Sequence, residues 1–257
     1  MPGKIQMKRG TYAAMDLNAL YQGEWYYCTD TKQTFMAHGD GTGVEMASNS
    51  DVTVLEAEHD GWIAAGETWT YASASTFTVT GDVTGKCQKG DKVKLTQTTA
   101  KYFYVLSASY SAPSTTVTVI AGTSYTVADA AITSPYYSHE ANPIGFPSFF
   151  TYTPVASATV GAFTTTTCSG KFSINGGVIT AHNSIQINSI GTASGNLLVT
   201  LPLTPSGSGA VFGRESAATG VALCGYVSTN VSVVFRYDNS FAGQNGHTCD
   251  FCTTAFV

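Results

Sequence analysis

The 257-residue chain predicts an all-β protein, built as small β modules in series. Three observations carry this. Charged residues make up only 11% of the chain, where an average soluble domain has roughly 25%. Thr, Ser, Gly and Asn take their place. Stretches of strict apolar/polar alternation recur, which marks strands with one face buried and one wet. Between them stand clusters of Gly, Asp, Asn and Pro, spaced too closely to leave room for long helices. The hydrophobic share of 43%, gathered in strand-like runs, excludes disorder as the meaning of the Ser/Thr/Gly richness.

Residues 1–60 form the first module. Lys4 to Thr11 alternates as a short strand, and Tyr12 to Leu20 carries Ala13, Ala14, Leu17 and Leu20 at the spacing of a short helix. Gly23 to Asp30 predicts a strand that ends in a turn, Thr34 to Ala37 another, and His38-Gly39-Asp40-Gly41-Thr42-Gly43 a dense turn. Residues 61–146 form the second module, a small barrel or sandwich of about five strands. Here Phe77 and Val79 oppose Thr76, Thr78 and Thr80, Val93 and Leu95 oppose Lys92 and Lys94, Phe103 and Val105 oppose Tyr102 and Tyr104, and Val117 and Val119 oppose Thr116 and Thr118. Asn142-Pro143-Ile144-Gly145-Phe146-Pro147 stops any regular element and sets the next boundary. Residues 147–257 form the third module, a β-sandwich. Phe172 and Ile174 lead through Asn175-Gly176-Gly177 into Val178 and Ile179 as a hairpin. Further strands follow at Ile185 and Ile187, at Leu197 to Leu201, at Val231, Val233, Phe235 and Tyr237, and from Phe251 to the end.

The net charge of −5 is uneven. Residues 1–60 hold four basic and nine acidic side chains, residues 61–147 five of each, and residues 148–257 three of each. No basic stripe exists, which argues against nucleic-acid binding. No apolar run approaches the roughly 20 residues of a membrane span. The basic first ten residues precede no apolar stretch, so no signal peptide is expected. Without one, the six cysteines are expected as free thiols, with a Cys249–Cys252 disulfide as the competing arrangement.

Catalysis finds little support. Glu215, Asp238 and Asp250 are not spaced to converge, and His38, His59, His139, His182 and His247 fit no triad or metal pattern. His247-Thr248-Cys249-Asp250-Phe251-Cys252 offers two or three ligands of the four that structural zinc needs, and residues three apart on a strand face opposite ways. The expectation is a non-enzyme with no metal and no cofactor.

The opening stretches Ile5-Gln6-Met7-Lys8-Arg9-Gly10-Thr11, Gly23-Glu24, Thr29-Asp30-Thr31 and Gly39-Asp40-Gly41-Thr42 stand in the order seen at the start of many tailed-phage fibre proteins. Over about 45 residues the chain resembles that N-terminal module of fibre and tropism-determinant proteins. Gly61-Trp62-Ile63, Trp69 to Ser73 and Lys89 to Gln97 resemble a module of phage tail proteins, while Thr151 to Pro154, Gly191 to Leu197 and Leu201-Pro202-Leu203 resemble the β-sandwich tip of such fibres. The resemblance implies a homotrimer made in the host cytoplasm and carried on the virion. It implies docking to other tail or baseplate proteins through the first module, with Ile5, Met7, Arg9 and Trp25 as the docking residues.

A receptor-binding tip must offer hydrogen-bonding groups and aromatic faces, because sugars bind through hydroxyl networks and C–H faces laid on rings. Tyr226, Arg236, Tyr237, Asp238, Asn239 and Asn245 are the residues expected to contact a host glycan or envelope protein. The expected function is a tail fibre or tip protein for host attachment. The alternative is a structural or decoration protein of head, collar or baseplate.

Overall fold

The computed structural model describes residues 7–16, 19–38, 40–46 and 60–257. The protein is all-β, with twenty strands in three sheets among the described residues. No helix among them is long and apolar enough to cross a membrane. The chain divides into two compact units, residues 1–60 and 61–257.

In the first unit β1 (Lys8–Gly10), β2 (Trp25–Cys28), β3 (Thr34–Ala37) and β4 (Gly43–Met46) form one sheet in that order. β1 runs parallel to β2, and the other pairs are antiparallel. Alternation sends Tyr26, Cys28, Phe35 and Ala37 into a small core closed by Leu20 and Met15. Within the helix expected from Tyr12 to Leu20, the described residues hold a 3-10 turn at Tyr12–Ala14, after which Met15 is extended, and Leu17 lies outside the described residues. Ala13 and Ala14 are exposed, so they give this turn no apolar stripe against the core.

The second unit holds two sheets. The first contains β5 (Ile63–Ala64), β6 (Trp69–Ser73), β7 (Thr76–Thr80), β8 (Lys92–Gln97), β9 (Thr99–Ser111), β10 (Ser114–Ile120) and β11 (Thr133–Ser138), in the order β5-β11-β8-β9-β10-β7-β6. Phe77, Val79, Val93, Leu95, Phe103, Val117 and Val119 are buried, as their alternation predicts. Trp69 stacks on Phe77 at 4.3 Å. The register of the long β9–β10 pair shifts between Thr118 and Val119, as at a β-bulge.

Part of the face of β8 and β9 expected to be wet is buried. Lys92 is 4% exposed and Tyr104 3%. Phe146 and Phe150 cover them, with ring centroids 4.9 and 5.4 Å from Tyr104. The Lys92 ammonium stands 5.8 Å over both the Tyr104 and Phe146 rings. Burial lowers its pKa, and Asp91 and Glu140 oppose that shift. The Pro-Ile-Gly-Phe-Pro stretch therefore packs as part of the fold. One hydrophobic core runs from Phe77 and Phe103 through Phe150 to Phe172, Ile174 and Ile179 on the far side of it.

The second sheet has nine strands, all paired antiparallel: β12 (Phe150–Tyr152), β13 (Ala156–Val160), β14 (Thr165–Asn175), β15 (Val178–Ser189), β16 (Ser194–Thr200), β17 (Gly209–Glu215), β18 (Ala222–Ser228), β19 (Val231–Arg236) and β20 (Thr248–Phe256). Their order is β12-β14-β15-β20-β17-β18-β19-β16-β13. The Asn175-Gly176-Gly177 turn joins β14 to β15 as expected, with Gly176 at φ +58. The sheet folds over on itself as a sandwich. Its two edge strands, β12 and β13, are joined by a short link in sequence. Ser232 of β19 bonds Thr253 of β20 at 2.7 Å across the interior, although two strands lie between them. Glycines permit this sharp coil. A Cβ at Gly213 would overlap the Asp250 carbonyl oxygen, and one at Gly225 the Val233 carbonyl oxygen. Ile185, Ile187, Val211, Cys249 and Phe251 then meet Leu197, Val199, Leu223 and Val234 inside.

Candidate functional site

The outer face of β14, β15, β20 and β17 gathers side chains from one hairpin and two later strands. Register sets them in rows. Lys171 lies opposite His182, His182 opposite Cys252, and Cys252 opposite Phe212. One step along the strands, Ser169 faces Ser184, Ser184 faces Asp250, and Asp250 faces Arg214. Directly opposed pairs bring Cβ atoms to roughly 4.5–5.5 Å, so each row is a continuous strip. The strips border an open groove of about 700 Å³, lined by Thr151, Lys171, His182, Ser184, Phe212, Asp250 and Cys252 among others.

Two aromatic rings flank it. Phe212 is 59% exposed. Phe149 holds the Lys171 ammonium 5.0 Å over its ring and receives the His182 ring edge-on at 5.8 Å. Asp250 accepts a hydrogen bond from the Ser216 hydroxyl. Burial pushes the Cys252 thiol up, against a weaker opposing bond from Thr254, so a neutral thiol stands there at neutral pH. The groove thus offers hydroxyls, an imidazole, one cation, one carboxylate and apolar ring faces, and no activated nucleophile.

Glu215 lies on the other side of the sheet. Its carboxylate is fully buried. It accepts bonds from the backbone N–H groups of Ala217 (2.8 Å), Ala218 (2.9 Å), Thr219 and Thr248 (3.2 Å), and from the Thr219 hydroxyl (2.8 Å). Burial works to raise its pKa, but the Thr219, Ala217 and Ala218 donors overcome it and hold the group far below the ordinary carboxylate range. Glu215 is a staple for the turn after β17, and it faces away from Asp250.

The expected receptor-contact residues are spread over several settings. Tyr226 is half exposed on the outer face of β18, 6.4 Å from the Phe235 ring. Tyr237 is 72% exposed just past β19. Neither lines the groove. Arg236 turns toward the interior, where its Nε and Nη2 have no hydrogen-bond partner among the described residues. Asp238 caps its own turn by accepting from the Ser240 hydroxyl (2.6 Å) and N–H (3.0 Å), and these bonds lower its pKa. Asn239 occupies the left-handed position of that turn at φ +62. Asn245 accepts from the Ile190 N–H at 2.7 Å and ties down a loop. The strand Val231–Arg236 also runs in a different phase from simple alternation. Ser232 and Val234 face the interior, while Val233 is buried on the other side.

Of the expected docking residues, Met7 is 50% exposed, Arg9 is exposed on β1, Trp25 is partly buried on β2, and Ile5 lies outside the described residues. All six cysteines are free. Cys249 points inward and Cys252 outward, so the Cys-x-x-Cys stretch does not converge on one point. Sequence reasoning passed over Lys171 and Phe212, and weighed His182 and Cys252 only as triad, metal or disulfide candidates. Each sits at an outward position of an alternating strand, but only the pairing of β20 between β15 and β17 brings them together. The chain matches no protein-family model, no curated protein and no solved structure.

Proposed function

We propose that the protein is a virion surface protein of a tailed bacteriophage, a homotrimeric tail fibre or tip subunit that attaches the particle to a glycan of the host surface. The observation that carries this reading is the open groove on the nine-stranded sheet. It presents hydroxyls and exposed ring faces on a segment that holds only six charged side chains. Such a surface suits a polyol, whose hydroxyls take hydrogen bonds and whose C–H faces lie on aromatic rings. The order of motifs in the first module supports the fibre assignment, with that module toward the virion. Attachment is reversible and involves no covalent chemistry. Three copies convert weak single-site binding into avidity.

The test is adsorption. Purified protein is expected to compete with phage for host cells, and gold-labelled antibody is expected to mark the tail end of intact particles. Label on the head or collar, with adsorption untouched, would place the protein among decoration subunits. In light scattering the protein is expected at three times the 26.9 kDa chain mass. A monomer would remove the avidity argument.

A further inference from the structure

We infer that the groove takes an acidic saccharide chain, with its carboxylate or phosphate at the Lys171–His182 end and a sugar C–H face on Phe212. This deepens the glycan-binding reading and rests on it. Lys171 carries the argument. It is one of three basic residues after position 147, and it is exposed. No carboxylate stands within ion-pair distance of it among the described residues. Its contact is instead the Phe149 ring, 5.0 Å below the ammonium. That contact orients the charge without neutralising it, because a ring supplies a quadrupole and no counter-charge. The same ring packs against His182, the direct cross-strand neighbour of Lys171. Two nitrogen-bearing side chains are therefore held side by side at one end of the groove.

The other end is built differently. Asp250 lies directly opposite Arg214 in the strand register, and it already accepts from Ser216. With Ser184 beside it, this end offers acceptors and hydroxyls suited to neutral sugar hydroxyls. From β14 to β17 the groove crosses three strand spacings, roughly 14 Å. A chain of several sugars covers that span, and a monosaccharide does not.

The experiment titrates the full-length protein with three probes: a galacturonate oligosaccharide, its carboxyl-reduced neutral counterpart, and a glycerol phosphate oligomer. At least one acidic probe is expected to bind about tenfold tighter than the neutral chain, and to weaken as salt rises. Which one binds tells carboxylate from phosphate. Lys171→Gln is expected to bring the acidic probe down to the neutral level without changing the thermal midpoint. Phe212→Ala is expected to weaken acidic and neutral chains alike. Neither acidic probe binding more tightly than the reduced chain, or indifference of the tighter acidic probe to Lys171→Gln, overturns the inference. If purified protein still blocks adsorption in any of those cases, attachment stands and only the acidic ligand is lost. If it blocks nothing, the attachment reading fails as well.

Discussion

Removing the Glu215 carboxylate tests how this sandwich is held closed. Glu215 ends β17 and gathers the turn of residues 216–220 together with the first residue of β20, through donors at 2.8 to 3.2 Å and one shorter bond from Thr219 N–H. A bond to a charged group contributes about 1.5–3 kcal/mol, but the contributions do not add, because an exposed turn recovers water for some of its N–H groups. Thr248 N–H is the least able to do so, being half-buried at the start of β20. Glu215→Ala is therefore expected to cost about 3–4 kcal/mol, a large part of the 5–15 kcal/mol that holds a typical domain. Glu215→Gln keeps the volume and one acceptor but turns an NH2 toward backbone donors, so about 2–3 kcal/mol is expected. Urea unfolding of wild type and variants gives both values. The pH dependence gives a second check. The folded pKa lies far below the ordinary 4.5, so the stabilisation is fully present above pH 4.5 and fades as pH falls toward the folded value. The gap between wild type and Glu215→Gln should narrow by about 1.4 kcal/mol for each pH unit below that point. A gap under about 0.5 kcal/mol at pH 7, or one unchanged between pH 6 and pH 3, would refute the staple.

Three further outcomes follow from the packing. Phe150→Ala should cost about 3–5 kcal/mol and lower the stability of both sheets of the second unit at once, since Phe150 touches Tyr104 on one side and Phe172 on the other. Separate unfolding of the two sheets, seen by hydrogen exchange, would contradict the shared core. Gly225→Ala places a methyl on the Val233 carbonyl oxygen and should cost about 2–3 kcal/mol, whereas the same change at Gly220 meets no neighbour and should be limited to the strain of its positive φ. Alkylation of the native protein should reach Cys168, Cys224 and Cys252 well before Cys28, Cys87 and Cys249, since the latter three are buried and burial pushes Cys87 and Cys249 up to about 12. Mass spectrometry showing one common rate for all six would argue against these burials.

Much of the fold is legible because period-two alternation is a local property. Phe77 and Val79, Phe172 and Ile174, and Ile185 and Ile187 each announce a strand and the face it buries. Lys92 and Tyr104 show where that logic stops. Alternation assigns them to a wet face, but whether a face is wet depends on what another part of the chain lays over it. Here Phe146 and Phe150 do so from more than forty residues away. The same holds for β19. Valines at 231, 233 and 234 leave two phases open, and the strand takes the one that turns Ser232 and Val234 inward, where Ser232 meets Thr253.

The candidate site is less legible than the fold, for a reason that also says where to look in it. Turn residues such as Asp238 and Asn239 attract notice in sequence because polar clusters collect there. In this protein that polarity is spent within the turn, on Ser240 and on the left-handed backbone at Asn239. Asn245 is likewise engaged, by Ile190. The groove's polar groups stand instead on strand faces, where each is a single outward residue between two inward ones and no local cluster forms. Lys171, His182, Asp250 and Phe212 come from β14, β15, β20 and β17, and antiparallel register alone sets them side by side. A surface assembled in this way has a well-fixed backbone, since each strand is bonded on both sides. Substituting one outward residue therefore changes the surface and leaves the core intact, so the groove can be altered one side chain at a time without loss of the fold.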